Sequence, residues 1–418
     1  MSQYTRYLCD LNAQQHSLAA MQKYLLRRAS EKLWVDAPTD PGVRMIVVIP
    51  SYKEDEWQLT LDSLFAQKEN DFQTEVIFLI NYPKAQRDTC ESISHQQKKE
   101  VELWMSEHQT RNLRFHCCPV FEMDTKHAGV GLARKTGMDE AVRRFVSTSN
   151  PDGVIVCLDA DSTVHEHYLN QIHHYFNTHP SIDCLSIGFK HRIPEDKLLA
   201  SAIDQYEGHL HYYIDAQKAV GYPFAFQTLG SCMAVRAAAY CAQGGMNQRQ
   251  AGEDFYFMHK YSILGTLGEI TTPLVYPAAR LSDRVPFGTG KAMKDYVAFG
   301  RRFSYSFEAI RIWGKVIELI PLLREDTSDP QVLIASIQSA AAAFFISAGI
   351  VDQLTHCRQH SATDAAFHKR MMRWFDPFML MKYLHYMREY GFPDEELPIG
   401  KNRLLTFTTS DHKNQNER

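Results

Sequence analysis

The chain has 418 residues, 44% of them apolar and 22% charged, with a formal net charge of −4. That length can bury one large core, or a core with a second lobe, and the composition is that of an ordinary globular protein. With no basic signature, general nucleic-acid binding is not expected.

In chain order, residues 1–42 predict a peripheral helical extension, with Leu18, Met21 and Leu25 at helical spacing and a break at Asp40-Pro41-Gly42. Met1 to Ser30 is polar and mixed in charge, so it does not read as a secretory signal. Met45 to Ile49 is an unbroken apolar run, the pattern of a parallel strand covered on both faces. A helix follows over Trp57 to Gln67, then a second strand over Glu75 to Ile80 with Asn81 at its end. Next come a polar helix over Arg87 to His108, a short strand near Leu113 to Cys117, a helix over Arg134 to Val146 and a strand over Val154 to Leu158.

This alternation predicts an α/β fold, a doubly wound, mostly parallel sheet flanked by helices. Ligands bind such sheets beyond the carboxyl ends of the strands. Ser51 to Glu54, Asn81 and Asp159 to Asp161 are therefore expected at one crevice.

Further on, Ile203 to Ala219 predicts an aromatic-rich helix. Phe226 to Val235 predicts a strand, with Gly230-Ser231 marking a bend or a close backbone approach. A helical stretch spans 236–265 around Gly244-Gly245, and Thr271 to Tyr276 predicts another strand. From residue 292 the chain reads as a helical C-terminal lobe, and its last eight residues as a disordered polar tail. Val332 to Val351 carries no charge and is about long enough to cross a bilayer. Its alanine, serine and glycine content favours a buried or interfacial helix over a membrane span. The nine cysteines lack C-x-x-C spacing and read as reduced core residues of a cytoplasmic protein.

Asp159-Ala160-Asp161 poses a charge problem. Two carboxylates one residue apart at a buried strand end need a positive partner, and oxygen-only ligation suits magnesium or manganese clamping a diphosphate. The competing reading is a strand-end turn, or a cap by Asp161-Ser162 on a helix beginning near Glu166.

Four ordered blocks resemble the family 2 glycosyltransferases, which have a GT-A-type nucleotide-binding fold. They are Ile49-Pro50-Ser51-Tyr52-Lys53-Glu54, Gly129 to Gly137 around Ala133-Arg134-Lys135, Leu158 to Asp161, and Gly244-Gly245-Met246 followed by Gly252-Glu253-Asp254. Together they span residues 45–260. The resemblance implies a glycosyltransferase domain over residues 43–291, with a helical lobe over 292–418 beyond it. It implies a nucleotide-diphosphate sugar donor, a divalent cation (Mn2+ or Mg2+) and an acceptor hydroxyl on a saccharide, a lipid-linked molecule or a small molecule. Pro50, Ser51, Tyr52 and Glu54 would lie against base and ribose, and Asn81 stands where the family commonly has an aspartate on the base. Arg134 would reach the diphosphate or the metal motif, Asp161 would ligate the cation, and Asp159 would share that work or contact ribose. Lys135 replaces the usual asparagine. Asp254 would be the general base of a single displacement with inversion, with Glu253 beside it, although either acid also suits a helix cap.

Arg280 to Lys291 combines two arginines, a Gly-Thr-Gly turn and a lysine. Arg284, Gly288, Thr289 and Lys291 are read as a mobile loop closing on the diphosphate, against an ordinary basic surface loop. No Gln-x-x-Arg-Trp block of the processive synthases is evident. Tyr206, His209, His211, Tyr212 and Tyr213 suit either an acceptor groove or a core stripe, with core the commoner meaning, and His259 either a core position or a further ligand. The C-terminal lobe suits acceptor binding, subunit pairing or peripheral membrane contact. The alternatives to sugar transfer are a sugar-phosphate nucleotidyltransferase and a non-catalytic nucleotide-sugar-binding module. The first normally carries a Gly-rich basic loop after the first strand, absent here, and the second would be expected to have lost Asp161 or Asp254.

Overall fold

The structure, a computed structural model, describes residues 3–68, 71–249, 252–281, 288–324, 334 and 337–416, of which 3–11 and 411–416 by backbone alone. Two compact units emerge: residues 1–192 with 228–278, and residues 193–227 with 279–418.

The first unit carries one eight-stranded sheet. Helix α1 (Gln3–Arg28) precedes β1 (Val43–Ser51), α2 (Trp57–Phe65), β2 (Gln73–Pro83), α3 (Arg87–Glu107), β3 (Leu113–Met123), α4 (Val130–Ser147) and β4 (Val154–Cys157). Then come β5 (Ser162–Val164), α5 (Tyr168–Thr178), β6 (Cys184–Phe189) and, in the other unit, α6 (Lys197–Ala219). The sheet unit resumes with β7 (Met233–Arg236), α7 (Ala237–Ala242), α8 (Glu253–Leu264) and β8 (Leu267–Pro277). The strand order is β3-β2-β1-β4-β7-β6-β8-β5. β1, β2, β3 and β4 run parallel, as do β6 and β8, while β7 and β5 run against their neighbours. The expected mostly parallel α/β sheet is present.

Met45 to Ile49 are all fully buried, so both pleat faces of β1 are covered. Each such side chain contributes about 1.5–3 kcal/mol of burial before entropy is counted. α4 lies close on this strand pair. A Cβ on Gly137 would come within 2.4 Å of Val48 Cγ1 and 2.7 Å of a Leu79 methyl, so only glycine permits this approach.

α4 is also covered from its other side. Arg134, Lys135, Asp139, Glu140 and Arg144 are all buried. The N-terminal segment supplies much of the cover: Lys135 pairs with Asp139 at 2.5 Å and donates to the Tyr24 hydroxyl of α1 at 3.0 Å. The Trp34 N–H donates to Glu140, and Arg144 donates to the Ala37 carbonyl.

Several boundaries differ from the sequence reading. β2 and β3 pair through Asn81 and Val120 as far as Pro83 and Met123, so Asn81 lies within a strand. The strand expected over Phe226 to Val235 is only Met233–Arg236. β5 and β6 were not expected. No disulfide links the eight described cysteines, and seven of them are buried.

In the second unit, α6 packs with α9 (Thr289–Phe299) around Ala202, Ile203, Tyr206, Ala292 and Met293; after the short strand β9 (Phe303–Ser304), α10 (Phe307–Leu319) and later helices gather around Trp313, Phe345 and Tyr383. β9 pairs with Glu395–Glu396. The uncharged span expected over Val332 to Val351 is not one helix. Ser339–Ser347 ends at Gly349, whose φ of 84° suits glycine, and Ile350–Gln359 starts after it at a bend of 64°. Among the described residues no single helix is long and apolar enough to cross a membrane, though this bent pair passes the same test together. The last helix runs Leu397–Asn416, into the stretch expected to be a tail, and residues 417–418 lie outside the described residues.

Candidate active site

The strand-end aspartates follow β4 directly, and the helix-cap reading for them does not hold. α5 begins only at Tyr168 behind His167, while Ser162 opens β5. Backbone carbonyls along the Asp159-Ala160-Asp161 turn are each held. The Ser162 N–H donates to Asp159 O at 3.1 Å, Thr60 Oγ1 to Ala160 O at 2.9 Å, and Arg192 to Asp161 O at 3.0 Å. Arg192 also pairs with Glu56 at 2.5 Å. Thr60 and Arg192 were invisible to motif reading, because their work is done on a backbone 100 and 31 residues away.

After β1, Ser51 and Glu54 are buried. Gln97 of α3 donates to Ser51 Oγ at 3.1 Å and to the Glu54 carbonyl at 2.8 Å, fixing the loop. Lys53 sits at φ 48°, an uncommon backbone for a non-glycine residue and a sign that this loop is held in one shape. The Tyr52 hydroxyl donates to Gln86. Pro50 lies inside β1, paired with Leu79. Asn81 is buried, and its Oδ1 has no hydrogen-bond partner among the described residues. An orphaned buried acceptor costs free energy until something donates to it.

Arg134 links the two halves of the site. Its guanidinium donates to Asp159 Oδ1 at 2.5 Å and to Glu253 Oε1. It is 3% exposed, and a Cβ on Gly230 would lie 2.3–2.4 Å from its nitrogens and Cζ, so the glycine forms one wall of its slot. The close approach expected at Gly230 is thus against an arginine. Gly131 has a matching role: a Cβ there would sit 2.3 Å from the Arg249 carbonyl and 3.2 Å from Glu253 Cβ.

Glu253 and Asp254 open α8 behind Gly252, which has φ 70°. No side chain caps the helix from that position, although Asp254 Oδ1 accepts the Phe255 N–H at 2.7 Å. Burial, opposed by Arg134 and reinforced by Asp254, pushes the Glu253 carboxyl up to about 7. Burial likewise raises Asp254, against Arg134 and the Phe255 N–H. For Arg134 burial works against the charge, but Asp159, Glu253 and Asp254 outweigh it and hold the guanidinium protonated. The arrangement is one cation among three carboxylates.

Lys135 engages Asp139 and Tyr24. His259 is buried, bonded to Ser262 Oγ at 3.0 Å and stacked on Phe255. Arg284 lies outside the described residues. Gly288, Thr289 and Lys291 open α9 in the second unit, where Lys291 pairs with Asp295. Of the aromatic stripe, Tyr212 is in that unit's core and donates to the Tyr305 carbonyl at 2.9 Å. His209 bonds Ser304, and burial, with Arg302, lowers its pKa to about 3. The stripe is largely core.

No family model matches the chain, and no curated protein matches it. Among solved structures it is similar to S. aureus TarS 1-349 in complex with UDP, at 13% identity and a TM-score of 0.40, over 83% of this chain and 91% of that one. The same protein in complex with UDP-GlcNAc matches at 11% identity and 0.39, over 79% and 91%. The mannosyltransferase PcManGT from Pyrobaculum calidifontis, in complex with GDP-Man and Mn2+, matches at 15% identity and 0.38, over 87% and 95%.

Proposed function

We propose that the chain transfers a sugar from a nucleotide-diphosphate donor to an acceptor hydroxyl. One observation carries this reading: Asp159, Arg134 and the Glu253-Asp254 pair, which lie far apart in sequence, meet beyond the carboxyl end of β4, an interior strand of the sheet. Three carboxylates around one arginine leave a net negative site, and its donors at the strand end are oxygens only. That set fits a hard cation arriving with a diphosphate, since Mg2+ is commonly held by one or two carboxylates together with substrate phosphates. Asp161, with Asp159, would hold it, and bound there it would neutralise the leaving diphosphate.

Asp254 takes the proton of the acceptor hydroxyl. The acceptor oxygen forms its bond to the anomeric carbon as the bond to the diphosphate oxygen breaks, and the electron pair leaves with the nucleoside diphosphate. One displacement inverts the anomeric centre. A raised Asp254 pKa suits this role, because a base works best when its pKa lies nearer the working pH. Asn81 offers an orphaned acceptor to an N–H donor such as a base edge.

The test is thermal stabilisation by a panel of nucleotide sugars with manganese, UDP and GDP sugars first, followed by product analysis of any donor that binds. Stabilisation by one donor class and an inverted product support the reading. No stabilisation by any donor, with or without metal, contradicts it.

A further inference from the structure

We propose that Arg134 is a positioning residue that sets the strand-end aspartates and the Glu253-Asp254 pair at their working separation, and is not a ligand of the donor diphosphate. The proposal rests on the transfer reading above. Three features of the slot carry it. The guanidinium spends one terminal nitrogen on Asp159 and the other on Glu253, so its fork spans β4 and α8. Almost no surface of the side chain is left for a ligand. The backbone is also shaped around it: Gly230 leaves no room for a Cβ beside the guanidinium, and Gly131 lets the start of α8 close onto α4.

Arginine is required here because a planar fork holds two carboxylates at a fixed spacing, whereas a lysine ammonium is a point charge on a flexible stem. Its charge also holds three acids together that would otherwise repel. α4 itself is anchored from behind by the Lys135, Asp139 and Tyr24 contacts, so the arginine starts from a rigid base.

The experiment uses the full chain with the donor found in the panel and manganese, and measures kcat, KM and the Kd for the nucleoside diphosphate. The variants are Arg134→Lys, Arg134→Ala with and without millimolar guanidinium ion, and Gly230→Ala, which keeps the charge and fills the slot. The expected result is a loss of kcat of about 10²-fold in Arg134→Lys and Gly230→Ala, the size of effect a misplaced group produces. The diphosphate Kd stays within about threefold, a change far below a lost ion pair. Guanidinium restores part of the lost kcat in Arg134→Ala, which a merely structural role would not allow. Circular dichroism identifies any variant that fails to fold, and Gly230→Ala then decides. Unchanged kcat in the folded variants, or a diphosphate Kd weakened while kcat holds, overturns the proposal while transfer by the wild type stands. A wild-type chain that turns over no nucleotide sugar overturns the transfer reading and this proposal with it.

Discussion

Two arginines of helix α4, Arg134 and Arg144, are both buried, and their surroundings differ in charge balance. Arg144 makes a two-pronged pair with Glu75, one contact being 2.6 Å, with His116 3.8 Å away. Burial works to raise the Glu75 carboxyl, but its bonds to Arg144, with His116 close by, outweigh that and leave its pKa lowered. One cation meets one carboxylate, and the centre is complete. Around Arg134 three carboxylates share one cation, and burial, with Asp254 and Asp159 adding to it against Arg134, pushes Glu253 up instead. A balanced buried pair does a structural task, whereas a pair left short of positive charge stores an affinity for another cation or for a proton.

The contrast breaks most directly at the acids. Asp254→Asn should lower transfer roughly 10²- to 10⁴-fold, the worth of a positioned general base, with diphosphate binding kept. Steady-state kinetics beside a binding titration checks this, and retained transfer would remove Asp254 from the role. At the other end of the helix, Arg144→Met should act on folding: it strands Glu75 at 1% exposure, and urea unfolding should show a loss of about 3–5 kcal/mol.

The two centres should also carry opposite pH signatures. Glu253 in the fold holds a proton to about pH 7, while the unfolded chain releases it near the ordinary glutamate value of about 4.3. Its contribution is therefore full at acid pH and is lost as pH rises from about 4.3 through 7, by at most about 1.4 kcal/mol per unit. Glu75 is lowered, so its contribution is present above about 4.3 and is lost as pH falls through its folded value. Urea melts across this range should lose the neutral-side decline in Glu253→Gln and the acid-side decline in Glu75→Gln. A smaller effect concerns packing: Gly137→Ala should cost about 1–3 kcal/mol, because its Cβ meets Val48 and Leu79.

What was legible in the sequence follows the range of the forces involved. β1 and β4 announce themselves as unbroken apolar runs, since a strand buried on both faces needs nothing else. β6 was hidden because Ser186 and Gly188 interrupt its run, and a Cβ at Gly188 would strike the Thr272 carbonyl of β8. Asn81 reads as a strand end because it is the polar residue after the run Glu75 to Ile80, but pairing with β3 carries the strand onward. Arg134 is expected at the diphosphate or the metal motif, but no local pattern announces its second partner, Glu253, which lies 119 residues away. The break at Gly349 was legible only as composition, not as a change of direction.

In the proposed transfer, the carboxylates after β4 complete their charge balance with a cation and a diphosphate. Calorimetric titration of UDP and GDP, with and without MnCl2, into wild type and Asp161→Ala tests it most directly. The wild type should bind one of them in a metal-dependent way, and the variant should bind it roughly 10- to 100-fold more weakly. Equal binding by both proteins, or binding indifferent to the metal, would contradict it.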